Sequence, residues 1–236
     1  MIYITGDTHG RFDRVFDFCH RHETTQDDIL IILGDAGINY WGDIRDSVLK
    51  NRLSELPITL FCIHGNHEKR PQSIPDYEPD VFCGGVVFHE RAYKNILFGV
   101  DGQVYDFGGE NCLVIGGAYS VDKPYRIARG MQWFEDEQPD AKVKLRVEDR
   151  IGDTRVDVIL SHTCPYRYLP TEAFLPMIDQ STVDNSTEKW LGEIEEKCDY
   201  RRWYCGHFHI DKHIDAVRFM SMDICALNEG GSYEHE

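Results

Sequence analysis

Eight side chains able to bind metals or move protons stand at the ends of apolar runs: Asp7, His9, Asp35, Asn66, His67, His162, His207 and His209. Carboxylate, amide and imidazole are ligands that transition metals accept, so these residues, once gathered, could hold metal ions. The stretch "CGHFHID" (205–211) carries the clearest signal. In extended chain His207 and His209 would project to one side, because side chains repeat with period 2. A lone histidine at a strand end is more often structural, and an aspartate after glycine is a common turn former. The weight lies in the repetition of the pattern at five places.

The frame that must position these groups is legible in the same runs. "MIYITGD", "DILIILGD", "ITLFCIHGN", "VDVILSH" and "RRWYCGH" are short and rich in branched and aromatic residues, as buried strands are. The first three alternate with helix-like stretches, "RFDRVFDFCHRH" (11–22) and "DIRDSVLKNRLSEL" (43–56), which implies a parallel sheet. In such sheets ligands bind beyond the carboxyl ends of the strands, where residues distant in sequence meet. "GGVVFHE", "NILFGVDGQVYDFGG" and "NCLVIGGAYS" follow with turn signals and no helical interval, which predicts a second, more antiparallel sheet. Residues 120–150 and 165–200 read as loop and helix, with "STEKWLGEIEEKC" (186–198) helical. One domain over 1–236 is expected, with 226–236 a flexible acidic tail.

Composition narrows the function. The 236 residues are 42% hydrophobic and 28% charged, and no apolar run approaches the length of a membrane span. The opening "MIYITGDTHG" lacks the features of a secretion signal. The eight cysteines are scattered, several within apolar strands, and form no CxxC pair, so free thiols and a cytoplasmic location are expected. Cys164 and Cys205 lie near candidate ligands and are read as structural. A net charge of −16 repels a phosphate backbone, so long nucleic acids are not expected as partners. An anionic substrate would need a local positive centre, which bound metal supplies.

"GDTHG" (6–10), "GD" (34–35), "GNHE" (65–68), "SH" (161–162) and "GHFH" (206–209) stand in the order of the five signature blocks that the chain shares with the calcineurin-like metallophosphoesterases, which it resembles from residue 6 to 209. The resemblance implies an α/β four-layer αββα sandwich, two mixed sheets flanked by helices, with metals at the strand ends. It implies a dinuclear site in which Asp7, His9 and His209 hold one ion, Asn66, His162 and His207 the other, and Asp35 bridges both. His67 would stay off the metals as the catalytic residue. Two divalent ions against two carboxylates leave the cluster electropositive, suited to phosphate. The implied reaction is attack on phosphorus by a hydroxide generated at the metal pair, with His67 as general acid. Mixed nitrogen and oxygen ligands suit two divalent or trivalent ions, Mn, Fe or Zn first, with Co and Ni also compatible.

The pattern departs from the protein serine/threonine phosphatases at its second block. Theirs continues GDxVDRG, whereas this chain reads "GDAGINYW", with Ile38 where an aspartate would orient the catalytic histidine. Arg11, Arg70, Arg126 and Arg129 are candidate phosphate contacts, since a guanidinium fork matches phosphate. "YSVDKPYRIARGMQWF" (119–134) and "GINYW" (37–41) are candidate substrate walls. Hydrolysis of a phosphomonoester, either a small metabolite or a phosphoprotein, is the first expectation. A phosphodiesterase or nucleotide pyrophosphohydrolase with the same metals is the alternative. A non-catalytic protein-binding scaffold is the reading from another class.

Overall fold

The apolar runs become strands for the reason their composition gives: both faces are covered. In the computed structural model, which describes residues 1–228, the chain begins with β1 (Ile2–Thr5), β2 (Ile29–Ile32) and β3 (Thr59–Cys62), paired side by side and parallel. Between them lie α1 (Asp13–His22) and α2 (Ile44–Leu53). The Asp43 side chain accepts the Arg45 N–H at the start of α2, filling one of the helix's orphan donors.

The next strands, β4 (Tyr77–Phe82), β5 (Gly85–Glu90) and β6 (Ile96–Gly99), extend the first sheet rather than starting the second. This corrects the expectation for "GGVVFHE" and "NILFG". β6 pairs parallel to β3, while β5 and β4 add antiparallel ribs to the edge. Turn chemistry predicts a hairpin locally but not the sheet that receives it; here Leu60, Phe61 and Cys62 align with Ile96, Leu97 and Phe98.

The second sheet is formed by β7 (Val104–Asp106), β8 (Asn111–Ile115), β9 (Val158–Ser161), β10 (Arg202–Cys205), β11 (Lys212–Ile214) and β12 (Val217–Phe219). Its centre, β8, β9, β10 and β12, is parallel, so it is not the more antiparallel sheet expected from the middle of the chain. Helices α3 (Lys123–Arg129), α4 (Ala141–Asp153) and α5 (Ser186–Lys197) belong to this half of the sequence. β13 (Ile224–Ala226) returns to pair antiparallel with β1. Residues 226–228 of the expected tail are therefore part of the fold: Leu227 is buried and its carbonyl accepts from Arg202 and Tyr204. Residues 229–236 lie outside the described residues.

Alternation along the strands builds the layers. Ile4, Ile31 and Leu33 meet Val114, Val158 and Leu160 between the two sheets, while Leu30 and Ile32 turn the other way onto Val15 and Phe18 of α1. Trp203 and Ile159 face outward from the second sheet onto Leu191 and Ile194 of α5. Each such side chain contributes about 1.5–3 kcal/mol by leaving water. Cys164 and Cys205 sit fully buried in this outer layer, and all eight cysteines are unpaired. No helix among the described residues is long and apolar enough to cross a membrane.

Candidate metal centre

Parallel strands deliver their carboxyl ends to one edge. Asp7 and His9 follow β1, Asp35 follows β2, Asn66 and His67 follow β3, His162 follows β9, and His207 and His209 follow β10. All eight meet at that rim. The loops are laced together: the His9 N–H donates to the Asp35 carbonyl (2.8 Å) and the Gly206 N–H to the His162 carbonyl (2.9 Å).

His207 and His209 do not reach the site by strand alternation. They lie beyond β10 in left-handed conformation, with φ of 69° and 53°, as do His9 (46°) and Asp35 (48°). Non-glycine residues visit this region at a cost of order 1 kcal/mol or more each, and persist there only where the surroundings enforce it. The turns place the imidazoles at the same site by a different route from the one the spacing suggested.

The glycines before the ligands are required by crowding. A Cβ on Gly65 would stand 2.0 Å from Asp35 Oδ1, and one on Gly34 2.1 Å from His162 Nδ1. Gly65→Ala is therefore expected to push the Asp35 carboxylate aside, destabilising the fold by about 1–3 kcal/mol through overpacking and lowering metal content. Thermal melting and elemental analysis of the variant check this; unchanged metal content would show that the crowding is tolerated.

Within the cluster, lone pairs face one another. His162 Nδ1–H donates to the Leu33 carbonyl (2.7 Å), so in the neutral ring Nε2 carries a lone pair. That lone pair points at Asn66 Oδ1, 2.8 Å away. Asn66 Nδ2 donates to Ser120 Oγ (2.8 Å), which turns the amide oxygen inward. His9 Nε2 and His209 Nε2 approach to 2.9 Å. Asp7 Oδ1 accepts the His207 N–H (3.0 Å), whereas Asp7 Oδ2 is buried with no hydrogen-bond partner. Acceptors that face each other, as His162 Nε2 and Asn66 Oδ1 do, are what a cation relieves, so the residues present fit metal ions.

Two groups of ligand atoms lie within 4.8 Å of one another: Asp7, His9 and His209 near solvent, and Asp7, Asp35 and His162 in the interior. Asp35 faces both, with Oδ1 3.7 Å from His162 Nε2 and Oδ2 4.0 Å from His9 Nδ1. The His207 ring packs edge-on to His162, 5.1 Å between centroids. Burial alone would raise the Asp7 carboxyl, but His209, with Nε2 3.2 Å from Asp7 Oδ2, and the neighbouring His162 hold it well below the usual range. Burial and His162 keep His207 neutral well below the ordinary imidazole range, so its lone pair is available. The Asp7 carboxylate beside it raises His209 instead.

His67 stands beside the cluster and belongs to neither group of converging ligand atoms. Its backbone N–H donates to Asp35 Oδ1 (2.8 Å), and its Nε2 accepts from Arg126 Nη2 (3.4 Å). Arg126 is held by both oxygens of Asp122 (2.8 Å each), Tyr40 Oη (3.0 Å) and the Gln132 carbonyl (3.2 Å). Burial and the Arg126 charge lower the His67 pKa, so the resting ring is neutral. Ile38, in the position of the missing aspartate, is fully buried in the helix-side core. The segment 119–134 thus supplies the partner that the second block lacks.

The other candidate arginines lie elsewhere. Arg70 is paired with Asp101 and donates to the Asp136 carbonyl (3.1 Å), lining a separate cavity. Arg129 is exposed at the end of α3 with its guanidinium 5.4 Å from the Tyr125 ring centroid. Arg11 is exposed and does not line the cavities at the cluster.

Two supporting residues escaped sequence reasoning. Glu68, fully buried, accepts the Gly65 N–H (2.8 Å), and burial beside Asp35 raises its pKa well above the carboxylate range. Arg14 of α1 donates to the Asp7 carbonyl (3.1 Å) and Thr5 Oγ1 (2.9 Å), bracing the first ligand turn. Glu68 belongs to the "GNHE" block and could have been found there; Arg14 reads as an ordinary helix surface residue.

Known proteins agree with this architecture. One solved chain aligns at 12% identity over 93% of this chain and 89% of its own, with a TM-score of 0.51. TT1561 of Thermus thermophilus aligns at 13% identity over 93% of this chain and 87% of its own, also with a TM-score of 0.51. At such identity the likeness speaks for the fold alone. No curated protein matches the sequence. The sequence model of the calcineurin-like phosphoesterases matches residues 1–211, from ahead of the first ligand turn to just past the last, and the chain belongs to that family.

Proposed function

We propose that the cluster holds two divalent ions, Mn, Fe or Zn by ligand chemistry, and hydrolyses phosphoesters. The observation that carries this is that His162 Nε2 and Asn66 Oδ1 face each other at 2.8 Å while ligand atoms of Asp7 and Asp35 lie within 4.8 Å of His162. Asp7, His9 and His209 would hold one ion and Asn66, His162 and His207 the other, with Asp35 shared. When bound, the ion pair supplies positive charge for the phosphoryl group and lowers the pKa of water from about 16 towards about 7.

The residues of the chain do the rest. Ser120 and the Leu33 carbonyl orient the amide and imidazole, as outer partners of metal ligands commonly do. His67, neutral at rest, gains basicity when a phosphoryl anion enters beside it, because a nearby negative charge favours the protonated ring. It then donates that proton to the departing oxygen. Arg126 is the candidate phosphoryl contact that the fold brings to His67, and Asp122 fixes its direction. The complete ligand set argues against a scaffold that has lost catalysis. The unpaired cysteines fit a reducing compartment such as the cytoplasm.

Metal-stripped protein reloaded with Mn²⁺ tests this reading. Turnover of p-nitrophenyl phosphate or its bis ester should rise about a hundredfold or more over the stripped protein. Equal rates before and after reloading would sink it. The affinity should depend on pH in a defined direction. His209 is raised above 6.5 and must shed its proton to ligate, so metal affinity rises with pH through and beyond that value. About tenfold per pH unit is expected where one proton is released.

A further inference from the structure

The cluster opens onto two concavities. One, of about 260 Å³, reaches its Asn66 and His207 end and is walled by Leu169, Phe174, Leu175, Ile178 and Phe208. The other, of about 580 Å³, reaches its His9 end and is walled by Tyr40, Trp41, Leu49 and Arg45. They share His67, Asp122 and His209 and no other lining residue, so these three form a ridge between them.

From this, and resting on the hydrolase reading above, we infer that the substrate is a phosphodiester. Its phosphoryl group sits at the cluster, an apolar uncharged substituent occupies the first concavity, and a planar aromatic substituent lies against Tyr40 and Trp41 in the second. A phosphomonoester has a single organic arm and would leave one wall without a contact.

The chemistry of each wall sets the class of each arm. The first concavity has no lysine or arginine among its lining residues, and carries Asp122, Asp184 and Glu188. A second phosphate there would meet carboxyl groups and no cation. The second wall presents aromatic surface: the Tyr40 and Trp41 rings meet edge to face at 4.7 Å, and the Arg45 guanidinium covers Trp41 at 3.6 Å from its centroid. Arg45 is itself paired with Asp43 (2.6 Å) and Arg126 with Asp122 (2.8 Å), so the groove is close to neutral and suits a stacked ring. In the reaction water adds to phosphorus as one P–O ester bond breaks. The departing oxygen leaves as an alcohol carrying one proton of that water, and the product is a phosphomonoester bearing the remaining arm.

Three probes test the two-armed site in Mn²⁺-loaded protein: bis(p-nitrophenyl) phosphate, methyl p-nitrophenyl phosphate and p-nitrophenyl phosphate. The bis ester should exceed the monoester in kcat/KM by about tenfold or more, as occupancy of a second apolar subsite provides. Trp41 is an exposed loop residue, so Trp41→Ala should fold, and it should lower kcat/KM for both diesters about tenfold, because each carries a nitrophenyl arm for that wall, while the methyl ester, with little to fill the first concavity, stays below the bis ester. A monoester preference, or Trp41→Ala leaving both diesters at the parent kcat/KM, would overturn the diester inference while leaving the hydrolase reading intact. Absence of metal-dependent turnover on every probe would overturn both.

Discussion

Asp35→Asn is expected to empty both ion positions and to lower turnover about a thousandfold, the scale on which removal of a central electrostatic group acts. Only two carboxylates, Asp7 and Asp35, offset the charge of two ions in the proposed ligand set. The two oxygens of Asp35 divide between the His162 and His9 sides of the cluster, so its loss reaches both. An asparagine oxygen can still accept the His67 N–H that Asp35 Oδ1 now accepts at 2.8 Å, which lets the turn keep its shape. The variant should therefore melt near the temperature of the metal-free parent while elemental analysis finds little bound metal. Two ions retained at full rate would show that Asp35 is not shared between them.

His67→Ala should separate proton transfer from metal binding. The contact of residue 67 with Asp35 is made by its backbone N–H, which alanine preserves, so both ions should stay. What is lost is the ring that faces Arg126. The loss should depend on the leaving group. An alkoxide needs a proton as it departs, so alkyl esters should slow about a hundred to ten thousandfold. A p-nitrophenolate leaves without one, and such esters should slow by about tenfold or less. Equal slowing of both ester types would give His67 a positioning role instead of that of the general acid.

The gathering of these residues at one rim was more legible in the sequence than the sheets that carry them. Asp7, Asp35, Asn66, His162 and His207 each follow closely on a buried strand, and strand ends are marked locally by apolar runs that stop at glycine or histidine. Whether β5 and β6 join the first sheet or the second is decided by the packing of Leu97 and Phe98 against the layers on either side, which turn residues do not encode. The left-handed backbone at His207 and His209 is likewise imposed by the fold, since neither residue type demands it. Arg126 shows the same limit from another side. Its sequence neighbourhood marks a candidate wall, but its place at His67 depends on Tyr40, eighty-six residues earlier in the chain. The segment 169–183, a succession of short 3₁₀ turns, offers no periodicity to reveal the apolar wall that it builds.

The central claim is that two ions share Asp35 at the rim where both sheets end. Crystals of the Mn²⁺-loaded protein, with anomalous diffraction recorded at the manganese edge, test it most directly. Two peaks are expected, one among Asp7, His9, Asp35 and His209 and the other among Asp35, Asn66, His162 and His207. A single peak, or peaks away from Asp35, would contradict it.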